Sequence, residues 1–301
     1  MTNKKNILII KHGALGDIIE SEGLMRAIRN HHLESKITFL TSSRDKTLIE
    51  CFHYIDTVMI DDRSTFWNVS KNFLLLKKLR NSKFDIVYDL QNTQRTMIYK
   101  KFFLVKSRWI TTNRKNHPIS GLTGLVEMLK QHGVLDKNSY IPDISWMASD
   151  VSQLLKNNNI KSKFILLIPG SSASHKDKRW PYFKDLSKEL IKKGFDVVSI
   201  LGPDEMALEG NLHGKIFKNL AWDDLVGVIN RATIVIGNDT GPSHIASCLG
   251  KSGIALFGPT TAIKSGLSRP PFTVIESDDL SKITLKKVMK KLLLQLDSIK
   301  N

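Results

Sequence analysis

The run from Ile234 to Thr261, I-V-I-G-N-D-T-G-P-S-H-I-A-S-C-L-G-K-S-G-I-A-L-F-G-P-T-T, leaves the chain little freedom. Thr233–Ile236 are all β-branched, the composition of a buried strand. Gly237, Asn238 and Asp239 break that pattern, and Asp239 or Thr240 can cap a new helix with Pro242 in its first turn. Gly250 and Gly253 end the helix ahead of a second apolar strand, Ile254–Phe257, which Gly258-Pro259 closes with a turn. The polar residues of this strand–turn–helix–strand unit all fall at one strand's carboxyl end. Ligands of open α/β sheets bind there, and the amides of a helix start favour phosphate. An ordinary crossover with a well-capped helix would have the same spacing, so the pattern alone leaves both readings open.

The rest of the chain repeats the theme. Asn6–Lys11 is an apolar strand of the kind buried in a parallel sheet, followed by His12-Gly13-Ala14-Leu15-Gly16-Asp17 and a helix-period stretch through Arg29. Ile37–Leu40, Thr57–Ile60, Phe84–Leu90 and Arg108–Thr111 read as further strands. Helical segments are expected at Arg44–Cys51, Asn68–Asn81, Thr93–Leu104 and Leu122–Gln131. The pattern lapses near Ile141-Pro142-Asp143 and restarts with the strand Phe164–Ile168. A helix at Pro181–Lys193, a strand at Asp196–Leu201, a short helix after Pro203, another at Trp222–Asn230 and a strand near Phe272–Ile275 follow. A Lys-rich amphipathic helix from Ser281 closes the chain. Strands alternating with helices imply doubly wound parallel sheets. At 301 residues the chain suits two such α/β lobes, 1–150 and 151–301.

Cys51 and Cys248 make neither a metal spacing nor a disulfide framework, and no apolar run approaches the roughly 20 residues that span a bilayer. A cytoplasmic protein is expected. The charge is less ordinary: 45 Lys and Arg against 29 Asp and Glu, a formal +16. Such a balance suits polyanions such as nucleic acid, an anionic membrane face or phosphorylated small molecules; it also follows from a merely Lys-rich composition. Its distribution is uneven, since no acidic residue lies between Asp89 and Glu127, an interval holding Arg95, Lys100, Lys101, Lys106, Arg108, Arg114 and Lys115.

Each lobe's first strand ends in a glycine turn. In the first, Gly13-Ala-Leu-Gly16 leads to Asp17 at a helix start, where the dipole favours an anion able to accept a proton; Asp is equally a common capping residue. In the second, Pro169-Gly170-Ser171-Ser172 offers serines and amides to an anion, and His175-Lys176-Asp177-Lys178-Arg179 adds cations just before Trp180-Pro181. A diphosphate between this loop and the Gly241 helix start would meet both. His244, in the first turn after Gly241, has no Ser–His–Asp ordering or zinc spacing around it, and no metal motif is present.

Four blocks then carry a resemblance: Ile7–Arg29, Phe84–Arg95, Ile168–Pro181 and Ile236–Thr260. The sequence resembles glycosyltransferase family 9, the ADP-heptose:lipopolysaccharide heptosyltransferases, most specifically through D-T-G-P-S-H, F-G-P-T, G-A-L-G-D and K-R-W-P. The resemblance implies a GT-B architecture of two Rossmann-like lobes facing across a cleft. It implies metal-independent, inverting transfer of heptose from an ADP-heptose donor to an anionic glycolipid acceptor of the lipopolysaccharide inner core, with no cofactor. Asp17 then matches the family's proposed general base and Lys178 its phosphate-binding lysine, while Asp239, Thr240, Gly241 and His244 match its nucleotide-sugar motif. Ser171 and Ser172 join the donor side, and Glu205 or Asp204 is expected at the donor ribose. Gly13, Gly16, Gln91 and Arg95 are expected on the acceptor side. Many family members carry proline where this chain has Gly23, and Glu20 and Glu22 add negative charge where an anionic acceptor would approach. The basic interval, with Phe102, Phe103 and Trp109 interleaved, fits either a peripheral contact with an anionic membrane or a solvated helix with a buried apolar side. Another nucleotide sugar or acceptor on the same fold is the alternative enzyme. A non-enzymatic polyanion binder is the competing class, opposed by the lack of any nucleic-acid-reading motif. On the glycosyltransferase reading, Asp17 and Gly241 are expected to face each other from different lobes across one interlobe cleft.

Overall fold

The computed structural model describes residues 4–64, 69–112, 121–135, 140–161, 163–258, 262 and 266–300. The Pro259–Thr260 end of the F-G-P-T block and Arg114 and Lys115 of the basic interval lie outside them. The chain divides into two compact units, one of Met1–Ala14 with Ser21–Pro142, the other of Leu15–Glu20 with Asp143–Asn301.

The first unit is built on five parallel strands: β1 (Asn6–Ile10), β2 (Lys36–Thr41), β3 (Thr57–Ile60), β4 (Ile86–Asp89) and β5 (Arg108–Thr111), ordered β3-β2-β1-β4-β5. Ile7 pairs with Ile37 on one side and Ile86 on the other, so the most apolar strand is central and shielded on both faces. Leu8, Ile10, Leu40 and Val87 share a core with Leu75 and Leu79 of one helix and Tyr99 of another.

The helix-period stretch after β1 is broken at Ser21 into α1 (Leu15–Glu20) and α2 (Glu22–His31). The two halves fall in different units, a division that periodicity cannot register. Arg44–Cys51 likewise resolves into a 3-10 turn, Ser43–Asp45, and α3 (Lys46–Glu50). The remaining helices of this unit are α4 (Val69–Asn81), α5 (Gln94–Phe102) and α6 (Leu122–Gln131). Thr93 caps α5 through a reciprocal pair with Thr96.

The second unit holds six parallel strands: β6 (Phe164–Ile168), β7 (Asp196–Leu201), β8 (Lys215–Lys218), β9 (Ile234–Asn238), β10 (Gly253–Phe257) and β11 (Phe272–Glu276). Their order is β11-β10-β9-β6-β7-β8. Its helices are α7 (Ser152–Asn157), α8 (Phe183–Lys192), α9 (Trp222–Arg231), α10 (Gly241–Cys248) and α11 (Leu285–Lys300), together with α1. β8 escapes a sequence reading because it is four residues long with lysine at both ends. That is a sheet edge, where lysine discourages further pairing. The segment after Pro203 is a 3-10 helix, Pro203–Asn211. Leu167 and Ile254 both pair with Ile236, which puts β9 at the centre of the sheet. No described helix is long and apolar enough to cross a membrane.

Candidate active site

β9 runs two residues beyond the apolar stretch, so Asn238 is its last residue and is fully buried. A buried amide must be satisfied. Its side-chain nitrogen donates to Pro169 O at 2.8 Å and Gly170 O at 3.1 Å, and its oxygen accepts from Trp180 N at 3.0 Å. One side chain thus fastens both ends of the 169–180 loop to the end of the central strand. Trp180 is buried beneath and donates through Nε1 to Ile283 O at 2.7 Å. Sequence reasoning passed over Asn238 as a pattern breaker; its place in G-N-D-T-G was the available signal.

Within the loop the polar residues divide. Ser171 is buried and works on the loop itself, donating to His175 O at 2.8 Å and accepting from Arg179 Nε at 3.0 Å. Ser172 is exposed, its hydroxyl 3.3 Å from that of Ser174. His175, Lys176 and Asp177 are exposed, a solvated charge run after all. Lys178 differs: its Nζ lies 2.7 Å from Asp239 Oδ2, with one-fifth of its side chain accessible. Glu205 Oε2 accepts from Gly202 N at 2.7 Å. Its carboxyl fills the space over Gly170, where a Cβ would come within 1.9 Å. Burial pushes the Glu205 carboxyl up, against the pull of the Gly202 amide and the Arg179 charge. Asp204 is exposed, so of the two acidic candidates Glu205 alone has its carboxyl at the strand-end turn.

The start of α10 is poorer in amides than its sequence suggests. Pro242 has none, and Ser243 N and His244 N both donate to Thr240 O, at 3.0 and 3.2 Å. Thr240 has the extended backbone of an N-cap, but its hydroxyl makes no cap bond, and Asp239 turns to Lys178. Positive charge at this strand end therefore comes chiefly from side chains.

Those side chains form a line of alternating charge. Lys178 meets Asp239; Asp239 Oδ1 is 3.6 Å from His244 Nε2; His244 Nδ1 is 2.8 Å from Glu20 Oε1; and Glu20 Oε2 pairs with Arg269. Burial alone would strip the proton from His244, but the carboxylates of Asp239 and Glu20 outweigh it and raise its pKa above the ordinary imidazole value. The two carboxylates thus favour the protonated form of the ring, whose Nδ1 faces Glu20 Oε1. Glu20 and Arg269 were missed as site residues. Arg269 lies in no motif, and Glu20 sits 224 residues from its histidine.

Two glycines bring α1 onto α10. A Cβ on Gly241 would lie 2.1 Å from Leu15 Cδ2, and one on Gly16 would lie 2.5 Å from His244 Cδ2. Only glycine permits the approach. Asp17, exposed in the first turn of α1, follows Gly16 directly and so lies on the helix packed against the D-T-G-P-S-H helix.

The expectation that Glu20 and Glu22 present negative charge to an acceptor is corrected. Both are buried, Glu20 on His244 and Arg269, Glu22 on Arg26 Nε at 3.0 Å and Tyr54 Oη at 3.0 Å. The absence of proline at Gly23 also has a local reason, since the Tyr140 carbonyl oxygen would be 2.2 Å from a Cβ there.

In the first unit, Gln91 Oε1 accepts from His12 N at 2.9 Å and Arg44 Nη2 donates to Gly13 O at 2.8 Å, which together hold the glycine turn. Arg95 is bonded through all three guanidinium nitrogens, to Asp61, Tyr99, Ser64 O and Asn72. Burial favours protonated Asp61, but hydrogen bonds from His12, Tyr99 and Arg95 hold it well below the usual carboxylate range.

Two parallel-sheet α/β units, with polar side chains converging at the carboxyl end of a central strand, have the GT-B architecture. The chain belongs to glycosyltransferase family 9 (heptosyltransferase), whose profile matches residues 73–293, and it is a glycosyltransferase. Among its relatives, the lipopolysaccharide core heptosyltransferase OpsX of Haemophilus influenzae is 23% identical over 282 residues, covering 84% of this chain and 79% of that protein. The lipopolysaccharide heptosyltransferase 2 of Escherichia coli is 21% identical over 297 residues, covering 85% and 83%. The solved structure of E. coli ADP-heptose lps heptosyltransferase II superposes with a TM-score of 0.76 at 18% identity, covering 98% of this chain and all of that one. E. coli heptosyltransferase WaaC with ADP gives 0.74 at 16%, covering 96% and 99%. At these identities the structural likeness is one of fold.

Proposed function

We propose that this protein transfers heptose, with inversion, from ADP-heptose to an inner-core lipopolysaccharide acceptor. The observation that carries the proposal is the packing of α1 on α10 through Gly16 and Gly241, which sets Asp17 beside the helix bearing Asp239, Thr240 and His244. Asp17 accepts the proton of an acceptor hydroxyl as that oxygen attacks the anomeric carbon. The bond from that carbon to the diphosphate oxygen breaks with its electron pair, and ADP departs. Lys178, held by Asp239, supplies charge to the departing diphosphate, and the His244 imidazolium adds a second positive centre behind it. Glu205, over Gly170, is the acidic group we assign to the donor ribose, and Ser172 borders the same turn. Gln91 and Arg95 act on the acceptor side indirectly, by holding the chain at His12 and Gly13 in front of the turn.

The test is release of ADP from ADP-heptose with core-truncated lipopolysaccharide as acceptor. Wild type should release ADP, and Asp17→Ala should lose that release while ADP still raises its melting temperature. Full turnover by Asp17→Ala would remove the base assignment. A melting response to a different nucleotide sugar, with none to ADP-heptose, would replace the donor.

A further inference from the structure

Asn72 on α4 accepts from Arg95 Nη2 on α5 at 2.9 Å, and both helices send apolar side chains into one core over the same face of the five-stranded sheet. They form one layer, so their outer surfaces face the same way. Phe73, Leu74, Met97, Phe102 and Val105, on this layer and the turn after it, are each three-fifths or more exposed. These are five of the eleven large apolar side chains exposed among the described residues. Phe103 and Trp109, which the sequence grouped with Phe102, instead pack against the core.

Exposed Lys77, Lys78, Arg80, Lys100, Lys101 and Lys106 lie on the same two helices and the turn after α5. Spacings of three and four residues interleave them with the apolar groups: Phe73 with Lys77, Leu74 with Lys78, Met97 with Lys100 and Lys101. Lys101 Nζ lies 5.4 Å from the Phe102 ring centre. No Asp or Glu occurs between Asp62 and Asp85 or between Asp89 and Glu127, so both helices carry charge of one sign only. Leu33, by contrast, neighbours Glu34, and the exposed leucines of α11 share their helix with Asp297.

We propose that the α4–α5 face of the first unit is a docking surface for an anionic lipid bilayer. Apolar side chains interleaved with lysine fit the boundary between headgroups and acyl chains: the rings and thioether enter the acyl edge while ammonium groups meet lipid phosphates. A solvated helix face would need no exposed Phe, Leu and Met at these positions, and a purely electrostatic partner would need only the lysines. The inference rests on this surface and is independent of which sugar is transferred.

Co-sedimentation with vesicles tests it, using phosphatidylcholine vesicles with and without one-third phosphatidylglycerol. Wild type should partition at least about tenfold better onto the anionic vesicles, since each lysine near such a surface contributes appreciably. Lys77→Gln/Lys78→Gln/Lys100→Gln/Lys101→Gln should lose that preference. Leu74→Ser/Met97→Ser/Phe102→Ser, with all charges kept, should also lose binding, by roughly tenfold. All seven positions are solvent-facing, and an unchanged denaturation midpoint checks folding. Equal binding of wild type to both vesicle types would overturn the proposal. So would loss in the lysine variant alone, the signature of a purely electrostatic partner such as RNA. Transfer to a soluble acceptor, measured in parallel, reports on the proposed function separately.

Discussion

Both units gather buried charge at the carboxyl ends of their parallel strands, but to different ends. In the first, Asp61 accepts from Arg95, Tyr99 and the Arg63 amide and faces His12 at 3.4 Å, its side chain only 1% accessible. In the second, the line from Lys178 to Arg269 is buried at its centre and partly open at both ends. Parallel topology delivers polar groups to the strand ends in either case. The difference is one of reach: the terminal charges Lys178 and Arg269 keep 20% and 27% of their side chains accessible, against 13% for Arg95 in the first unit.

The comparison breaks most readily at Asp61. Replacing it with Ala leaves Arg95 without its buried partner and should cost about 3–5 kcal/mol in urea unfolding, while ADP affinity stays unchanged. Loss of ADP binding on that change would mean the first unit's cluster reaches the donor. Lys178→Ala is the converse: turnover should fall about 100- to 1,000-fold, as for removal of one transition-state charge donor, with a smaller stability loss than at Asp61. Gly241→Ala presses a methyl onto Leu15 and should cost about 1–3 kcal/mol, as overpacking does, lowering turnover with it.

The smallest effect is in pH. His244 binds its proton more tightly folded than unfolded. The stability it contributes is complete below the ordinary imidazole value of about 6.5 and is lost as pH rises through the elevated folded value. Wild-type stability should therefore decline above neutrality, and His244→Gln should flatten that decline in denaturation midpoints taken across the same pH range. An identical slope in both proteins would mean the imidazole is neutral when folded.

Much of the scaffold was legible because its signals are local. β-Branched runs such as Thr233–Ile236, glycine turns and helix-period segments depend on neighbours within a few residues, so the parallel sheets and every strand but β8 followed directly. The polar ends were harder. Asn238 looked like a breaker because its three bonds go to residues 58 to 69 positions away. Lys178 was set apart in the sequence only by the family resemblance; the physical difference from exposed Lys176 is its pairing with Asp239.

What the sequence determined by itself was the pair of doubly wound sheets and the strand ends where chemistry would gather. Only the tertiary structure decided which charges are committed to one another. It put Glu20 against His244 and Arg269, 224 and 249 residues away, and so converted an apparent acidic obstacle into a partner of a buried histidine and an arginine. It also split one helical pattern at Ser21 and sent α1 to the second unit. Hydrophobic periodicity records that a face is buried; it carries no information about which distant segment buries it.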